Sequence, residues 1–509
     1  MFIRRKPNKS GTFSVQVVDK IRGRYTLVKS FGASKSEDEL SVMERRAADF
    51  ISTYGGQSVL DFKRQERLDE RAEADKLFES IADIRQDGVR LILEPIYNGI
   101  GFDLIPDQTL KYLAIARICQ PKSKVATVDY LKRYFDEDVN LNKIYRYMDT
   151  LYNTQRERIQ QISVEHTRKL LGGRIGIVFY DVTTLYFETA REDVLRSPGY
   201  SKDGKTAESQ IVLGLLVSRD GYPLSYNVFN GAQYEGRTMI PIIDDFVQRF
   251  SLTDFIVVAD AGLLSRKNIT LLKQAGYKFI LGGRIKKESK SVQDWVLSLE
   301  KGRHTLNETV INGDERIIVS YSEQRAVKDR HNRDKGIQRL REAYSSGKIK
   351  KQNVNQRGYN KFLVIENDVK VSIDEAKIAA DAQWDGLKSY VTNTDLSASE
   401  VIEQYHGLWV VERAFRITKG TLEARPIFHF TERRIEAHIC ICFVAYKLYK
   451  ELERILRLLG IGLSVDKVLD IAKTISTVTV NLPDGTKLSK TLLTRDEQRA
   501  LQPLLSSSI

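Results

Sequence analysis

The sequence predicts an α/β fold in which a mixed sheet is flanked by helices. Strand-like and helix-like segments alternate between residues 172 and 285, beginning with three strand patterns, two of which form a hairpin. A helix, a strand, a second helix and a further strand follow. Hairpin strands followed by alternating helices and strands are typical of a sheet covered by helices.

The strands are predicted from β-branched and aromatic runs bounded by turn residues. The first is IGIVFYDVTTLYF, and a hairpin follows in SQIVLGLLVSRDGYPLSYNVFNG, where Asp220-Gly221 is the turn signal. Three shorter runs read as further strands: FIVVAD, YKFILGG and LKSYVTNT. Together these runs supply enough strands for one large sheet.

Two helices are predicted between the strands, and a longer one after them. TMIPIIDDFVQRF is amphipathic, and SRKNITLLKQAG begins at a Ser265 cap and ends at Gly276. Ser397 and Glu400 form a capping-box pattern for the third helix, which we expect to end at Gly420. Its residues at spacings of three and four should share one mostly apolar face. They are Val401, Tyr405, Leu408, Glu412, Phe415 and Lys419.

The rest of the chain divides by composition, and its 509 residues indicate two to four domains. We predict a β-then-helical region of possible DNA-end binding, a helical module that binds DNA or is purely structural, two core parts separated by an insertion, and a C-terminal region. In order, the ranges are 1–106, 107–171, 172–285, 286–385 (the insertion), 386–455 and 456–509.

Charge and cysteine content narrow the function classes. Lys and Arg exceed Asp and Glu by 13, which favours a polyanionic partner, with nucleic acid ahead of a membrane; a basic soluble enzyme is the alternative. The three cysteines form neither a disulfide framework nor a zinc motif. No apolar run is long enough for a membrane helix, so we expect a cytoplasmic protein.

Three acidic residues stand where the pattern predicts burial. Asp181 lies in the first strand, Asp260 ends FIVVAD, and Glu412 interrupts the apolar face of the third helix. A buried carboxylate costs several kcal/mol unless it is paired, protonated or bound to a metal. The three acids therefore predict a carboxylate cluster for divalent metal ions. For Glu412 the alternative is a buried salt bridge with Arg413 or Arg416.

The motifs around these acids resemble the DDE transposases of bacterial insertion sequences. The resemblance is particularly to the group with the signature Tyr-x2-Arg-x3-Glu-x6-Lys, which is matched here at Tyr405, Glu412 and Lys419, with Leu408 in the arginine position. YDVTTLYFE, VVADAGLLS and SPGYSKDGK also look like segments of that family's core. The resemblance covers roughly residues 172–450.

The resemblance implies an RNase H-like core with an α-helical region before it. Asp181 would lie on the first core strand, Asp260 on or just after the fourth, and Glu412 on a later helix. The long gap before Glu412 agrees with the insertion at 286–385, which this group carries largely as β-structure.

The resemblance also implies an activity, a cofactor and partners. Asp181, Asp260 and Glu412 would hold Mg²⁺ (or Mn²⁺), and the enzyme would cleave double-stranded DNA at the transposon ends and transfer the 3′-OH into target DNA. A homodimer on DNA is the family expectation. Tyr405 and Lys419 would contact the DNA backbone, and Arg413 or Arg416 could replace the missing signature arginine.

Basic residues elsewhere are candidate DNA contacts as well. Two lie in a polar loop, Lys202 and Lys205, and three at the end of a basic stretch within the insertion, Lys348, Lys350 and Lys351. Two alternatives to a transposase stay open at this point. One is an RNase H-like nuclease or resolvase without strand transfer, and the other is a catalytically silent DNA-binding protein derived from a transposase.

Overall fold

The structure is a computed structural model that groups the chain into two compact units. It describes residues 1–54, 62–200, 204, 207–250, 252, 254–302, 306–349, 351–355, 358–366 and 370–506. The first unit comprises residues 1–84 and 478–490, and the second comprises residues 85–477 and 491–509. The second unit contains all the predicted core segments.

The first unit contains two small sheets and two helices. Alternating apolar residues in its second strand place Val15 and Val17 against Leu40 and Ala47 of the first helix. Its strand β4 forms inside a segment predicted as helical and pairs with β15, a strand from the C-terminal region. The elements are β1 Phe2–Pro7, β2 Phe13–Ile21, β3 Arg24–Ser34, α1 Glu37–Thr53, α2 Phe62–Glu79, β4 Ile81–Arg85, β15 Ser476–Asn481 and β16 Lys487–Leu492.

The second unit begins with five helices that contain the predicted helical module. They are α3 Gly88–Ile100, α4 Thr109–Cys119, α5 Lys124–Phe135, α6 Leu141–Thr150 and α7 Arg156–Leu170. Of these, α3, α4, α6 and α7 pack against α15 (Glu432–Leu458), which is buried along most of its length, and α5 packs against α4 and α6. None of the helices in the described part of the chain is long and apolar enough to cross a membrane.

The centre of the second unit is an eight-stranded mixed sheet. Its order is β10-β11-β14-β9-β8-β5-β6-β7, with β5, β8 and β9 parallel and the other pairings antiparallel. The strands are β5 Ile177–Tyr186, β6 Gln210–Ser218, β7 Pro223–Asn230, β8 Ile256–Ala259, β9 Lys278–Gly282, β10 Leu306–Asn312, β11 Glu315–Tyr321 and β14 Leu387–Thr392. This confirms the mixed sheet flanked by helices. When the first five of these strands are numbered along the chain, their spatial order in the sheet is 3-2-1-4-5. Asp181 lies on the first of them, and Asp260 directly follows the fourth.

Period-two alternation gives the sheet two buried faces. On β5, Val178 and Tyr180 face one core, which includes α8 (Met239–Phe250) and α9 (Arg266–Gln274). Phe179 and Leu185 face the other core, which includes α15. Asp181 is two residues from Phe179, so its side chain lies on the same face of the sheet, the one packed against α15.

The predicted insertion contains both strands and helices. β10 and β11 extend the main sheet, and the basic stretch forms α11 (Glu323–Ser345). A two-stranded ribbon follows. The remaining elements are α10 Lys290–Ser298, β12 Leu363–Glu366, β13 Lys370–Ile373 and α12 Glu375–Ala382.

The helix predicted over 397–420 is divided. The capping box of Ser397 and Glu400 is present, but α13 (Ala398–His406) ends before α14 (Trp409–Arg416), and a π-helical turn, Ile417–Thr421, follows. Three short helices complete the chain: α16 Val465–Ala472, α17 Asp496–Arg499 and α18 Gln502–Ser506.

Candidate active site

Two of the predicted acids lie side by side on neighbouring parallel strands. The register of β5 and β8 ends with the pair Tyr180 and Ala259, and Asp181 and Asp260 are the next residue on each chain. Neighbouring strands are about 4.8 Å apart, and residues in register point to the same face. The sheet therefore presents two carboxylates at the point where β8 ends.

The predicted burial of the three acids is wrong. Asp181 is half-buried, and Asp260 and Glu412 are exposed. Asp260 lies beyond the last residue of β8, where the chain leaves the packed sheet, and Glu412 lies on the outer side of α14. Desolvation therefore does not explain why these positions are acidic.

The break between α13 and α14 explains the exposure of Glu412. Gly407 lies against β5, and a Cβ added there would stand 2.5 Å from Cζ of Phe179. The break shifts the buried face, so that Val411 and Phe415 of α14 point inward while Glu412 does not. The single apolar face predicted through Glu412 is thus incorrect, because it assumed an unbroken helix.

Glu412 has no ion pair or hydrogen bond within the described residues, so the alternative of a buried salt bridge finds no support there. Arg413 pairs instead with Glu453 of α15. Glu412 interacts electrostatically with Lys388 on β14. Burial and Arg325 lower the pKa of Lys388, while Asp260 and Glu412 oppose that shift.

Lys388 and Tyr405 connect the acids to the α13 side of the sheet. The Nζ of Lys388 lies 4.4 Å from the centre of the Tyr405 ring and 5.2 Å from that of Tyr390, which is cation–π distance. Lys388 and Tyr390 are two residues apart on β14, so both side chains lie on the same face of the sheet, towards α13. Lys388 was not among the predicted site residues. Its place in the predicted strand LKSYVTNT, two residues before Tyr390, indicated that both side chains share one face of the sheet.

Tyr405, a residue predicted to contact the DNA backbone, is buried and hydrogen-bonded to Asp260. It is only 6% exposed, and its hydroxyl donates a hydrogen bond of 2.8 Å to Oδ1 of Asp260. Burial, and secondarily Asp260, raise the pKa of Tyr405, so the hydroxyl stays protonated. Gly282 leaves the space this requires, because a Cβ there would stand 2.5 Å from the Tyr405 hydroxyl oxygen. The tyrosine positions Asp260.

A fourth carboxylate lies nearby and was not predicted. A Cβ built on Gly262 would stand 4.0 Å from both Oδ2 of Asp260 and Oε2 of Glu235. The buried Asn268 amide holds this arrangement by donating to the carbonyls of Gly236 (2.7 Å) and Leu263 (2.8 Å). Glu235 lies in a short 3-10 turn with no periodic pattern, so the sequence offered only its acidity as a signal.

The chemistry of these side chains fits a hard divalent cation. The donors are carboxylate oxygens, without Cys or His, which suits Mg²⁺ or Mn²⁺. Within the part of the chain that the structure describes, no three acidic, His or Cys side chains are close enough together to form a metal site. Asp181 and Asp260 directly follow the last register pair of β5 and β8, and Glu412 lies on α14, which packs against β5.

The other predicted DNA contacts are scattered. Lys419 is half-buried in the π-helical turn, Arg416 is exposed one turn after Glu412, and Leu408 is buried at the start of α14. In the insertion, Lys348 is exposed, and Lys351 begins a short 3-10 turn. The predicted contacts Lys202, Lys205 and Lys350 lie outside the described residues.

Comparison with known proteins identifies a family for this region. The family described as "Transposase DDE domain" matches residues 172–448, which is more than half of the chain. Among curated proteins, none matches the sequence. Among solved structures, the chain is similar to one titled "Cryo-EM structure of piggyBac transposase synaptic complex with hairpin DNA", with a TM-score of 0.39 and 10% identity. That similarity covers 76% of this chain and 78% of the other.

Proposed function

Because the chain belongs to the transposase DDE-domain family, we propose that it is a metal-dependent enzyme that binds transposon ends, cleaves the DNA and joins the 3′-OH to target DNA. The catalytic carboxylates in this proposal are Asp181, Asp260 and Glu412. Double-stranded DNA is the substrate, and a homodimer would hold two ends together.

One observation carries the proposal. Asp181 and Asp260 stand next to each other, one residue beyond the last register pair of two parallel strands, and α14 with Glu412 packs on the same strand β5. Two acids on neighbouring strands, with a third on a helix packed against one of those strands, support a site that binds metal. A purely structural role would require partners that Glu412 lacks within the described chain.

The three carboxylates would hold the divalent ions in this proposal. When bound, such ions activate the attacking water or 3′-hydroxyl and stabilise the leaving oxygen of a phosphodiester. Tyr405 donates its hydroxyl to Oδ1 of Asp260 and so fixes the orientation of that carboxylate. This leaves Oδ2 of Asp260 pointing towards the Gly262 side.

Lys388 supplies positive charge close to two of the acids. Its ammonium interacts with both Asp260 and Glu412 and rests on the Tyr405 ring. In the proposed complex it would attract the scissile phosphate, which carries one negative charge, and reduce repulsion between that phosphate and the carboxylates. Arg416, one turn beyond Glu412, is exposed, whereas the Arg413 guanidinium forms an ion pair with Glu453.

The test is a cleavage and joining assay with purified full-length protein. The substrate is a labelled duplex carrying the inverted repeats that flank the gene, with plasmid DNA as target and Mg²⁺ in the buffer. We expect Asp181→Ala, Asp260→Ala and Glu412→Ala each to abolish cleavage while duplex binding, measured by anisotropy, changes little. Full cleavage by any one of these variants would refute the site. Cleavage without joining by the wild type would refute the transposase assignment and leave a nuclease.

A further inference from the structure

A second cleft in the same unit is lined by cations rather than acids. It has a volume of about 410 Å³ and lies between the start of α5 and the segment that precedes α15. Its basic lining comprises Arg117, Lys122, Lys124, Arg425, His429 and His438. Tyr145 also lines the cleft, and Glu423 is its one acidic residue among those the structure describes. Glu423 is exposed at the rim.

The start of α5 contributes backbone donors to this cleft. The Ser123 side chain caps the helix by accepting from the amide of Ala126 at 3.3 Å. The amides of Lys124 and Val125 precede the first intrahelical hydrogen bond, so they stay free to bind a ligand. Both residues line the cleft. A helix N-terminus with free amides and a partial positive charge favours an anion.

Lys124 is the second and independent observation. It is 6% exposed, lines the cleft and forms no ion pair or hydrogen bond within the described residues. Burial, and then Arg117, lower the pKa of Lys124 to about 7. Arg117 is also buried, and among the described residues its guanidinium donates only to the carbonyl of Lys122, at 3.3 Å. Two buried cations without a counter-ion are costly unless an anion joins them.

The two histidines of the cleft are neutral, because they are buried and lie among cations. Nε2 of His438 lies 3.1 Å from the carbonyl oxygen of Ala424, while Nδ1 is buried without a hydrogen-bond partner. Burial and the neighbouring cations lower the pKa of His429 to about 3 and that of His438 well below its usual value. Both rings are therefore neutral in the free protein at neutral pH. The one N–H of His438 donates to the Ala424 carbonyl, which leaves Nδ1 without a proton, whereas His429 can donate its N–H to an oxyanion.

We propose that this cleft is a phosphate-binding site and that its occupant is a backbone phosphate of the DNA bound at the active site. The identification of DNA as the source of the phosphate rests on the proposed function. The identification of a phosphate-binding site rests on the residues of the cleft alone. Free amides, a buried ammonium, a buried guanidinium and the imidazole N–H of His429 are the donors that recognise a phosphate oxygen.

The position of the cleft relative to Asp181 suits DNA. The amide of Ile427 donates to the carbonyl of Tyr186 at 3.1 Å, which joins the cleft segment to β5 five residues after Asp181. Five strand residues span about 17 Å. That equals about five base steps along a duplex. The segment that lines the cleft is thus joined to β5 at a point about five base steps from Asp181, which suits a phosphate on the flank of a strand cleaved there.

The first experiment uses inorganic phosphate as the probe. Titration calorimetry at pH 8 in two buffers of different ionisation enthalpy measures both affinity and proton uptake. We expect the wild type to bind phosphate with uptake of up to about one proton, because an anion beside Lys124 raises the pKa of its ammonium. Lys124→Met should weaken binding about ten-fold or more, the value of one charge-assisted hydrogen bond.

Matched variants keep this result interpretable. Lys132→Met removes an exposed lysine from the last turn of the same helix and should bind phosphate as the wild type does. Arg117→Met is a second variant within the cleft and should also weaken binding. Circular dichroism confirms that each variant is folded. Equal phosphate affinity in the wild type, Lys124→Met and Arg117→Met would overturn the site, as would absence of binding by the wild type.

The second experiment asks whether DNA supplies the phosphate. A duplex is titrated into wild-type protein with and without saturating phosphate, and binding and proton uptake are recorded. We expect phosphate to compete with DNA, and Lys124→Met to lose the DNA-linked proton uptake that Lys132→Met retains. Phosphate binding without competition would overturn the DNA assignment and leave a small-anion site. Failure of the cleavage assay with intact phosphate binding would instead refute the proposed function alone.

Discussion

The acidic site and the basic cleft differ in a way that the sequence did not indicate. The acids Asp260 and Glu412 are exposed, whereas the cations Arg117 and Lys124 are buried. A desolvated carboxylate was the reason for predicting a metal site, yet the desolvated charges are the positive ones. Exposed acids can remain ionised without a partner, and buried cations cannot do so cheaply.

This contrast separates two kinds of ligand site. The acidic site is open and needs only a cation from solution, so removing one of its acids should change chemistry but not stability. The basic cleft carries a desolvation penalty in the free protein, so removing one of its cations should change stability as well as binding. Variants of the two regions should therefore have opposite signatures.

The largest effect is expected from Glu412→Gln. This change keeps the size of the side chain and removes its charge, and Glu412 has no partner in the described chain that the change would disturb. We expect cleavage in Mg²⁺ to fall by about a thousand-fold, as loss of a residue that acts on the transition state does. The melting temperature should stay within about one degree, since surface substitutions are usually near neutral. A large loss of stability would assign Glu412 to the fold instead.

A smaller effect is expected from Lys388→Met. The methionine keeps contact with the Tyr405 ring but removes the positive charge that faces Asp260 and Glu412. Loss of one charged stabilising contact should lower kcat by about ten- to a hundred-fold. Lys267→Met, an exposed lysine on α9, is the control and should leave kcat unchanged. Equal rates for the two variants would remove Lys388 from the site.

Tyr405→Phe tests the positioning of Asp260. The ring and its packing remain, and only the hydrogen bond of 2.8 Å to Oδ1 is lost. We expect about a ten-fold fall in kcat with KM for DNA unchanged, because a net hydrogen bond to a charged group contributes about 1.5–3 kcal/mol. A rise in KM with constant kcat would instead support the direct DNA contact that the sequence predicted for Tyr405.

The smallest effect is a pH-dependent gain in stability for Lys124→Met. The pKa of Lys124 is about 7 when folded, and that of an unfolded lysine is about 10.4. Between those values the unfolded chain holds a proton that the folded protein has lost, so wild-type stability rises with pH. The penalty is complete below pH 7. Thermal melts should show the variant a few degrees more stable at pH 6 and the difference shrinking towards pH 10; a constant difference would contradict a buried, titrating lysine.

Much of the fold could be predicted because its signals are local. The hairpin turn at Asp220-Gly221, the Ser265 cap and the Ser397–Glu400 capping box each depend on a few adjacent residues, and the structure contains all three elements. The family resemblance implied that Asp181 lies on the first core strand and Asp260 on or just after the fourth, whereas the pairing of those two strands is seen in the structure.

The errors involved packing between distant segments. The break at Gly407 depends on Phe179 of β5, so helical spacing alone could not reveal it. The burial of Lys124 depends on the segment before α15, about 300 residues later in the chain, which lines the same cleft. Lys388 and Glu235 are single charged residues in a strand and a turn, and only the assembled sheet shows what they face.

The central claim is that Asp260 binds the divalent metal, and a change of donor atom tests it most directly. In Asp260→Cys a thiolate replaces the carboxylate, and a thiolate favours softer ions over Mg²⁺. We predict that Asp260→Cys has no cleavage activity in Mg²⁺ and regains part of it in Mn²⁺, while Asp260→Ala stays inactive in both ions. Cleavage by Asp260→Cys in Mg²⁺ at the wild-type rate would contradict the account.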